Sequence, residues 1–249
     1  MKIGFLGDIH ANLEALTAVL EAAAALGVDK YVCIGDIVGY NPNPVECIRL
    51  IRGLDTLCIV KGNHDEYAAG DIPLTAFNPQ AAAAIEWTRR QLNEADRQWL
   101  RQLPYKQDVY TGSIPPARFT AVHASLEDPH HYGYIFDRCT AAASLQYQWM
   151  PLCFVGHTHT PMAFIKRQND IFSGAYGKLD IADDCKYIIN VGSVGQPRDR
   201  NPRAAFAIYD VDQATVTLHR VEYDIALTQR KIRAAGLPER CAERLQYGQ

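Results

Sequence analysis

Short apolar runs alternate with amphipathic stretches over the first sixty residues, and this alternation predicts the class of fold. Lys2 to Leu6 reads as a short buried strand. The stretch LEALTAVLEAAAALG is rich in good helix formers and is closed by Gly27. Lys30 to Ile34 and Thr56 to Val60 read as further strands, and the helix between them, Pro44 to Arg52, starts on a proline. The order β-α-β-α-β calls for a parallel sheet with right-handed crossovers.

The pattern then changes period. Ala81, Ala84, Ile85, Thr88 and Leu92 recur at helical spacing within Pro79 to Leu92. A second short helix is expected around Trp99 and Leu100, ended by Pro104. Strands resume at Gln107 to Tyr110 and Arg118 to His123, followed by a helix from about Arg138 to Gln148. The last hundred residues are mostly strand-like, in CFVGH, MAFIKR, KYIINVG, AAFAIYD and TVTLHRV, and two helices close the chain at about Ile225 to Ala235 and Glu239 to Leu245. This order fits an α/β fold of two packed mixed β-sheets flanked by helices. The expectation is one domain over residues 1–249, with a helical insert at about 66–103 long enough to overhang a site as a cap.

Composition narrows the partners. A formal net charge of -3 supplies no bulk attraction to nucleic acid or an anionic membrane, although a local basic patch stays open. The seven cysteines form no C-x-x-C pair, and several lie in apolar runs, so buried thiols in a reducing compartment are expected. The opening MKIGFLGD turns polar too soon for a signal peptide, and no apolar run approaches a membrane span. A cytoplasmic location follows as the expectation.

Five motifs sit where strands end: GDIH with Asp8 and His10, GDIVGY with Asp36, GNHDE with Asn63 and His64, VHAS with His123, and GHTH with His157 and His159. In α/β sheets such positions line the crevice at the carboxyl ends of the strands. The D-x-H spacing lets both side chains reach one ion, and so does H-x-H if the chain is extended. Mixed nitrogen and oxygen donors suit borderline metals better than calcium. Two cations roughly 3.5–4 Å apart clamp a phosphoryl group for in-line displacement, and one carboxylate can bridge them. Gly7, Gly35, Gly62 and Gly156 each precede a residue of ligand type, where the lack of a Cβ permits close approach.

Taken together and in this order, the motifs resemble those of the calcineurin-like metallophosphoesterases: D-x-H, G-D, G-N-H-D/E, H and G-H-x-H. The resemblance runs from Met1 to roughly Arg203, and GDIVGYNPNP and NVGSVGQPRDRNPRAAFAIYD are similar to the small prokaryotic branch of phosphodiesterases and diadenosine-polyphosphate hydrolases. It implies a dinuclear site with Asp8, His10 and His159 on one metal, Asn63, His123 and His157 on the other, and Asp36 bridging. It implies His64 as general acid or transition-state stabiliser, with Asp65 as its orienter. The implied cofactors are two divalent ions among manganese, iron, zinc, cobalt and nickel, manganese being favoured for activity. The implied reaction is hydrolysis of phosphomonoesters or phosphodiesters, of small nucleotides first, by metal-bound hydroxide. Serine/threonine protein phosphatase activity and a non-catalytic metal-binding scaffold are the rivals, and a homo-oligomer is left open.

Each residue alone has a plainer role open to it. Asp8 can cap the helix that starts near Asn12, Asn63 can be a turn residue, and His123 a structural histidine. Their joint occurrence favours ligands. Arg198 in SVGQPRD can reach a substrate phosphate or pair with Asp199 or Asp210 on the surface, and Tyr40 and Asn41 can line a pocket. His130 and His131 fit a solvated loop, His219 a structural position, and Trp87, Trp99 and Trp149 the core or helix packing.

Overall fold

Strands near the N-terminus carry apolar side chains on both faces, so both faces must be covered. The computed structural model describes residues 1–75, 77–112 and 116–249, which leaves Ala76 of the 66–103 insert outside the described residues. The first strand, β1 (Lys2–Leu6), leads to α1 (Leu13–Ala25), β2 (Lys30–Cys33), α2 (Pro44–Gly53) and β3 (Thr56–Ile59). Three helices follow, α3 (Asn63–Ala69), α4 (Pro79–Gln91) and α5 (Glu94–Gln102). Next come β4 (Lys106–Tyr110), β5 (Arg118–Val122), α6 (Arg138–Leu145) and β6 (Leu152–Val155). The remaining strands are β7 (Met162–Arg167), β8 (Asp170–Gly174), β9 (Lys178–Asp180), β10 (Cys185–Asn190), β11 (Ala204–Asp210) and β12 (Thr215–Val221). Helices α7 (Ile225–Ala234) and α8 (Glu239–Glu243) and a 3-10 turn at Arg244–Tyr247 end the chain.

Among the described residues the strands form two six-stranded sheets, in the orders β3-β2-β1-β11-β12-β9 and β4-β5-β6-β10-β7-β8. Both are mixed. In the first, β1, β2 and β3 run parallel and β11 is antiparallel to β1; in the second, β5, β6 and β10 run parallel. The sheets meet through alternate residues. Along β11, Ala207 and Tyr209 enter the core between the sheets, while Phe206 and Ile208 enter the core under α1 and α2. Phe5 stacks on Phe154 of the other sheet at 3.6 Å and meets Phe119 edge-on at 5.2 Å. Fully burying such side chains contributes about 1.5–3 kcal/mol each.

Helices cover the outer faces: α1, α2 and the insert on the first sheet, α6 on the second. The face of α4 predicted from spacing, Ala81, Ala84, Ile85 and Thr88, is buried. Three elements escaped the sequence reading. Helix α3 begins on the GNHDE motif itself, and β8 and β9 are short, mostly exposed edge strands with too few apolar positions to set a pattern. Two further expectations need correction. Cys139 is exposed, unlike the other six thiols, and Trp149 is 86% exposed and joins no buried cluster among the described residues. Trp87 and Trp99 do pack against buried clusters, and His219 lies on β12 against Phe206.

Candidate metal centre and its pocket

Parallel strands of both sheets end at one edge, and the motif residues converge there. The loop after β1 is zipped to the loop after β2 by backbone hydrogen bonds from Asp8 to Gly35, His10 to Asp36 and Ala11 to Ile37. Segment 193–195 holds the same loop from the other side: Ser193 Oγ and Gly195 N–H both donate to the Asp8 carbonyl. Asn190 fixes the GHTH turn, donating to the Gly156 carbonyl at 2.6 Å and to Thr158 Oγ1 at 3.0 Å.

The backbone at these loops is unusual. Asp8, His10, Asp36, Tyr40, His157 and His159 all have φ between 49° and 65°, a region that costs side-chain-bearing residues energy and that clusters at functional sites. The expectation that His157 and His159 share a direction on an extended chain is therefore corrected. A tight left-handed turn, not strand geometry, brings them together. Close packing accompanies it: a Cβ on Gly62 would lie 2.1 Å from Asp36 Oδ1, and one on Gly39 would lie 2.4 Å from His64 Nδ1.

The side chains form two donor groups that share Asp36. Asp8, His10, Asp36 and His159 offer atoms within 4.8 Å of one another, and so do Asp36, His123 and His157. Asp36 Oδ2 faces His10 Nε2 at 3.5 Å and His123 Nε2 at 3.4 Å, and Asp8 Oδ1 faces His159 Nε2 at 3.3 Å. Backbone carbonyls set the histidine tautomers. Nδ1 of His10, His123 and His159 points at the carbonyls of Val38, Ile34 and Gln196, at 3.1, 2.7 and 2.6 Å. A proton on each Nδ1 turns Nε2 inward, and on the neutral rings of His10 and His159 that atom keeps its lone pair. His10 Nε2 and His159 Nε2 lie 3.0 Å apart, an arrangement that a shared cation stabilises. Burial also holds the imidazoles of His10 and His159 well below their ordinary range, and takes His157 down to about 3. Burial opposes charge on His123 as well, but the Asp36 carboxylate outweighs it and lifts His123 to about 9. Asn63 Oδ1 is buried with no hydrogen-bond partner among the described residues. Orphaned oxygen, inward lone pairs and two buried carboxylates all fit divalent cations.

His64 stands beside this cluster. Its backbone N–H donates to Asp36 Oδ1 at 2.8 Å, and its ring lies 4.7 Å from that of His10 and 4.5 Å from that of Tyr40. Burial lowers its imidazole to about 4, so the ring is neutral near pH 7. The expected orienting contact from Asp65 is not formed among the described residues. The Asp65 carboxylate instead accepts from the N–H groups of Ile37, Val38 and Gly62, at 2.8, 3.1 and 3.1 Å, because α3 turns it away from the His64 ring and toward the Asp36 loop. It clamps that loop. Asp65→Ala leaves three buried donors without an acceptor and is expected to cost about 3 kcal/mol or more of stability, read as a lower urea midpoint. An unchanged midpoint would remove Asp65 from that role.

A cavity of 340 Å³ opens over the donors, bounded by Phe77 and Asn78 ahead of α4, by Tyr134 and by Arg244. Tyr40 and Arg198 line it. Arg198 pairs with neither Asp199 nor Asp210; it bonds Gln196 Oε1 at 3.0 Å, and Asp199 is taken by Arg220. Asn41 is a correction: it is fully buried behind the loop, where its Nδ2 donates to the His10 carbonyl at 2.8 Å, and it lines no part of the cavity. His131 is exposed but reaches the rim. The reading of residues missed Asn190, Ser193 and Gln196, although the NVGSVGQ run that carries them is a visible Gly-rich signal. It also missed Arg244, which nothing local marks.

Residues 1–214 match the calcineurin-like phosphoesterase superfamily domain. A metallophosphoesterase from Sphaerobacter thermophilus, known from its crystal structure, is 42% identical, with a TM-score of 0.84 over 100% of this chain and 99% of that one. An uncharacterized protein of Methanocaldococcus jannaschii is 38% identical over 246 residues, 99% of this chain and 98% of that protein. A symmetrical bis(5'-nucleosyl)-tetraphosphatase of Baumannia cicadellinicola is 39% identical over 67 residues, covering 26% of this chain and 23% of that protein.

Proposed function

This chain belongs to the calcineurin-like phosphoesterase superfamily and is a phosphoester hydrolase, and from that premise we propose that it works with two divalent ions on small nucleotides. The observation that carries the reading is the pair of buried donor groups sharing Asp36. Asp8, His10 and His159 would hold one ion and Asn63, His123 and His157 the other, with Asp36 bridging. Manganese is the favoured activating ion within a set that includes iron, zinc, cobalt and nickel. When bound, such ions lower the pKa of water and offset phosphate charge.

The chain's own residues do the rest. Asp36 holds the donor groups in register through its contacts with His10, His123 and the His64 N–H. His64 is placed to donate a proton or hydrogen bond to the leaving oxygen, and its neutrality near pH 7 favours the hydrogen-bonding role. Arg198 would hold phosphate oxygens, a role supported by its Nε, which is buried without a hydrogen-bond partner among the described residues.

Two features support a nucleotide. Rings run outward from the cluster, with Tyr134 stacked on His157 at 4.1 Å and Phe136 stacked on Tyr134 at 5.0 Å, and such rings suit a base. The cavity, walled by the 66–103 insert acting as a cap, has the size of a small-molecule site. A folded phosphoprotein fits it poorly, and a scaffold would have no use for a complete donor set. Removing metal with EDTA is expected to abolish hydrolysis of an aryl phosphate, and manganese to restore it. Full activity in the stripped protein would overturn the mechanism.

A further inference from the structure

The C-terminal segment lies beyond the family-matched residues 1–214, yet it forms a wall of the cavity. Residues Ile232, Leu237, Cys241 and Leu245 share a buried cluster with Tyr40, Ala81 and Ala84. The end of the chain is pinned beside the Arg198 loop, where Arg200 N–H donates to the Gly248 carbonyl at 2.9 Å. Arg244 Nε donates to the main-chain oxygen of Gln249. Arg244 is thus held in place and half-buried at the cavity wall.

Two guanidinium groups therefore face one cavity. Arg198 lies over the Tyr40 ring, its Cζ 5.8 Å from the centroid. Arg198 forms no ion pair among the described residues, and the contact of Arg244 with the main-chain oxygen of Gln249 engages its Nε. The carboxylates nearby are committed elsewhere: Asp199 to Arg220, Glu239 to Arg233 and Glu243 to Arg240. Burial, and then the charge of Arg198, brings Arg244 down to about 10, so the two cations oppose each other in a partly desolvated space. The charges of Arg198 and Arg244 are both felt at Tyr40. Both guanidinium groups line the cavity that opens over the donor cluster, so an anion held beside that cluster meets them together.

We propose that Arg244 and Arg198 form a second anion subsite that takes the phosphate adjacent to the one being hydrolysed. This rests on the phosphoesterase reading and narrows its substrate class to nucleotides with neighbouring phosphate groups. Guanidinium forks match phosphate oxygens in pairs, and each charge-assisted contact is stronger than a neutral one.

The test is titration calorimetry of the manganese-loaded full chain, desalted of free metal, with methylenediphosphonate and methylphosphonate. The wild type is expected to prefer the diphosphonate. Arg244→Gln is expected to weaken diphosphonate binding roughly tenfold more than methylphosphonate binding, with an intact thermal melt. Equal preference in the variant and the wild type would overturn the subsite. If Arg244→Gln does not fold, Arg244→Met is compared in the same way, and absence of any diphosphonate preference in the wild type overturns the proposal without a substitution. Failure of the phosphoesterase reading would appear separately, as absent manganese-dependent turnover of an aryl phosphate by the wild type.

Discussion

Replacing Asp36 with Asn is expected to lower turnover roughly 10³-fold or more and to reduce the metal held per chain. The substitution is close to isosteric, so the fold should persist and the loss be chemical. Asp36 is 1% exposed and belongs to both donor groups. His123 and His64 hold its carboxylate below the usual range despite burial, so it is a fixed negative charge in the centre of the cluster. With Asn there, Asp8 becomes the last carboxylate among the grouped donors, and two cations would face a single compensating charge. The amide also presents a donor toward imidazole nitrogens or toward the His64 N–H, whichever way it turns. Metal analysis beside initial rates checks this. Two tightly held ions with a normal rate would count against the bridging role.

His64→Ala should behave differently, with the rate falling roughly 10²–10⁴-fold and metal content unchanged. The backbone N–H that bonds Asp36 survives the substitution, so the donor groups keep their support. What disappears is the ring between Tyr40, His10 and Phe77. Loss of a donor to the leaving oxygen should matter most for alkoxide leaving groups and least for nitrophenolate, which departs without help. Rates compared across that series separate a leaving-group role from general damage to the pocket. An unchanged rate with a poor leaving group would refute the assignment.

Much of the architecture was readable from local patterns. Strands β1 to β3 and helices α1, α2, α4 and α5 follow from apolar periodicity, proline and glycine, because these elements bury regular faces. Strands β8 and β9 left no such trace, since they lie at sheet edges with little to bury. Asp65 shows the same limit at the site. Its neighbourhood to His64 in sequence suggested a contact, but the helical start at Asn63 sends consecutive side chains in different directions.

The types of the donor residues, their order and their attachment to strand ends were determined by the sequence alone, because each motif is local and a strand end leaves little freedom in where its next residues lie. The tertiary structure decided which donors share Asp36, and it did so through left-handed turns at Asp8, His10, Asp36, His157 and His159 that no periodicity announces. It decided that Asn41 supports His10 from behind while Tyr40 faces the cavity. It also brought Arg244 beside Arg198. Residues so far apart meet only when separate elements pack, and no local pattern records that meeting.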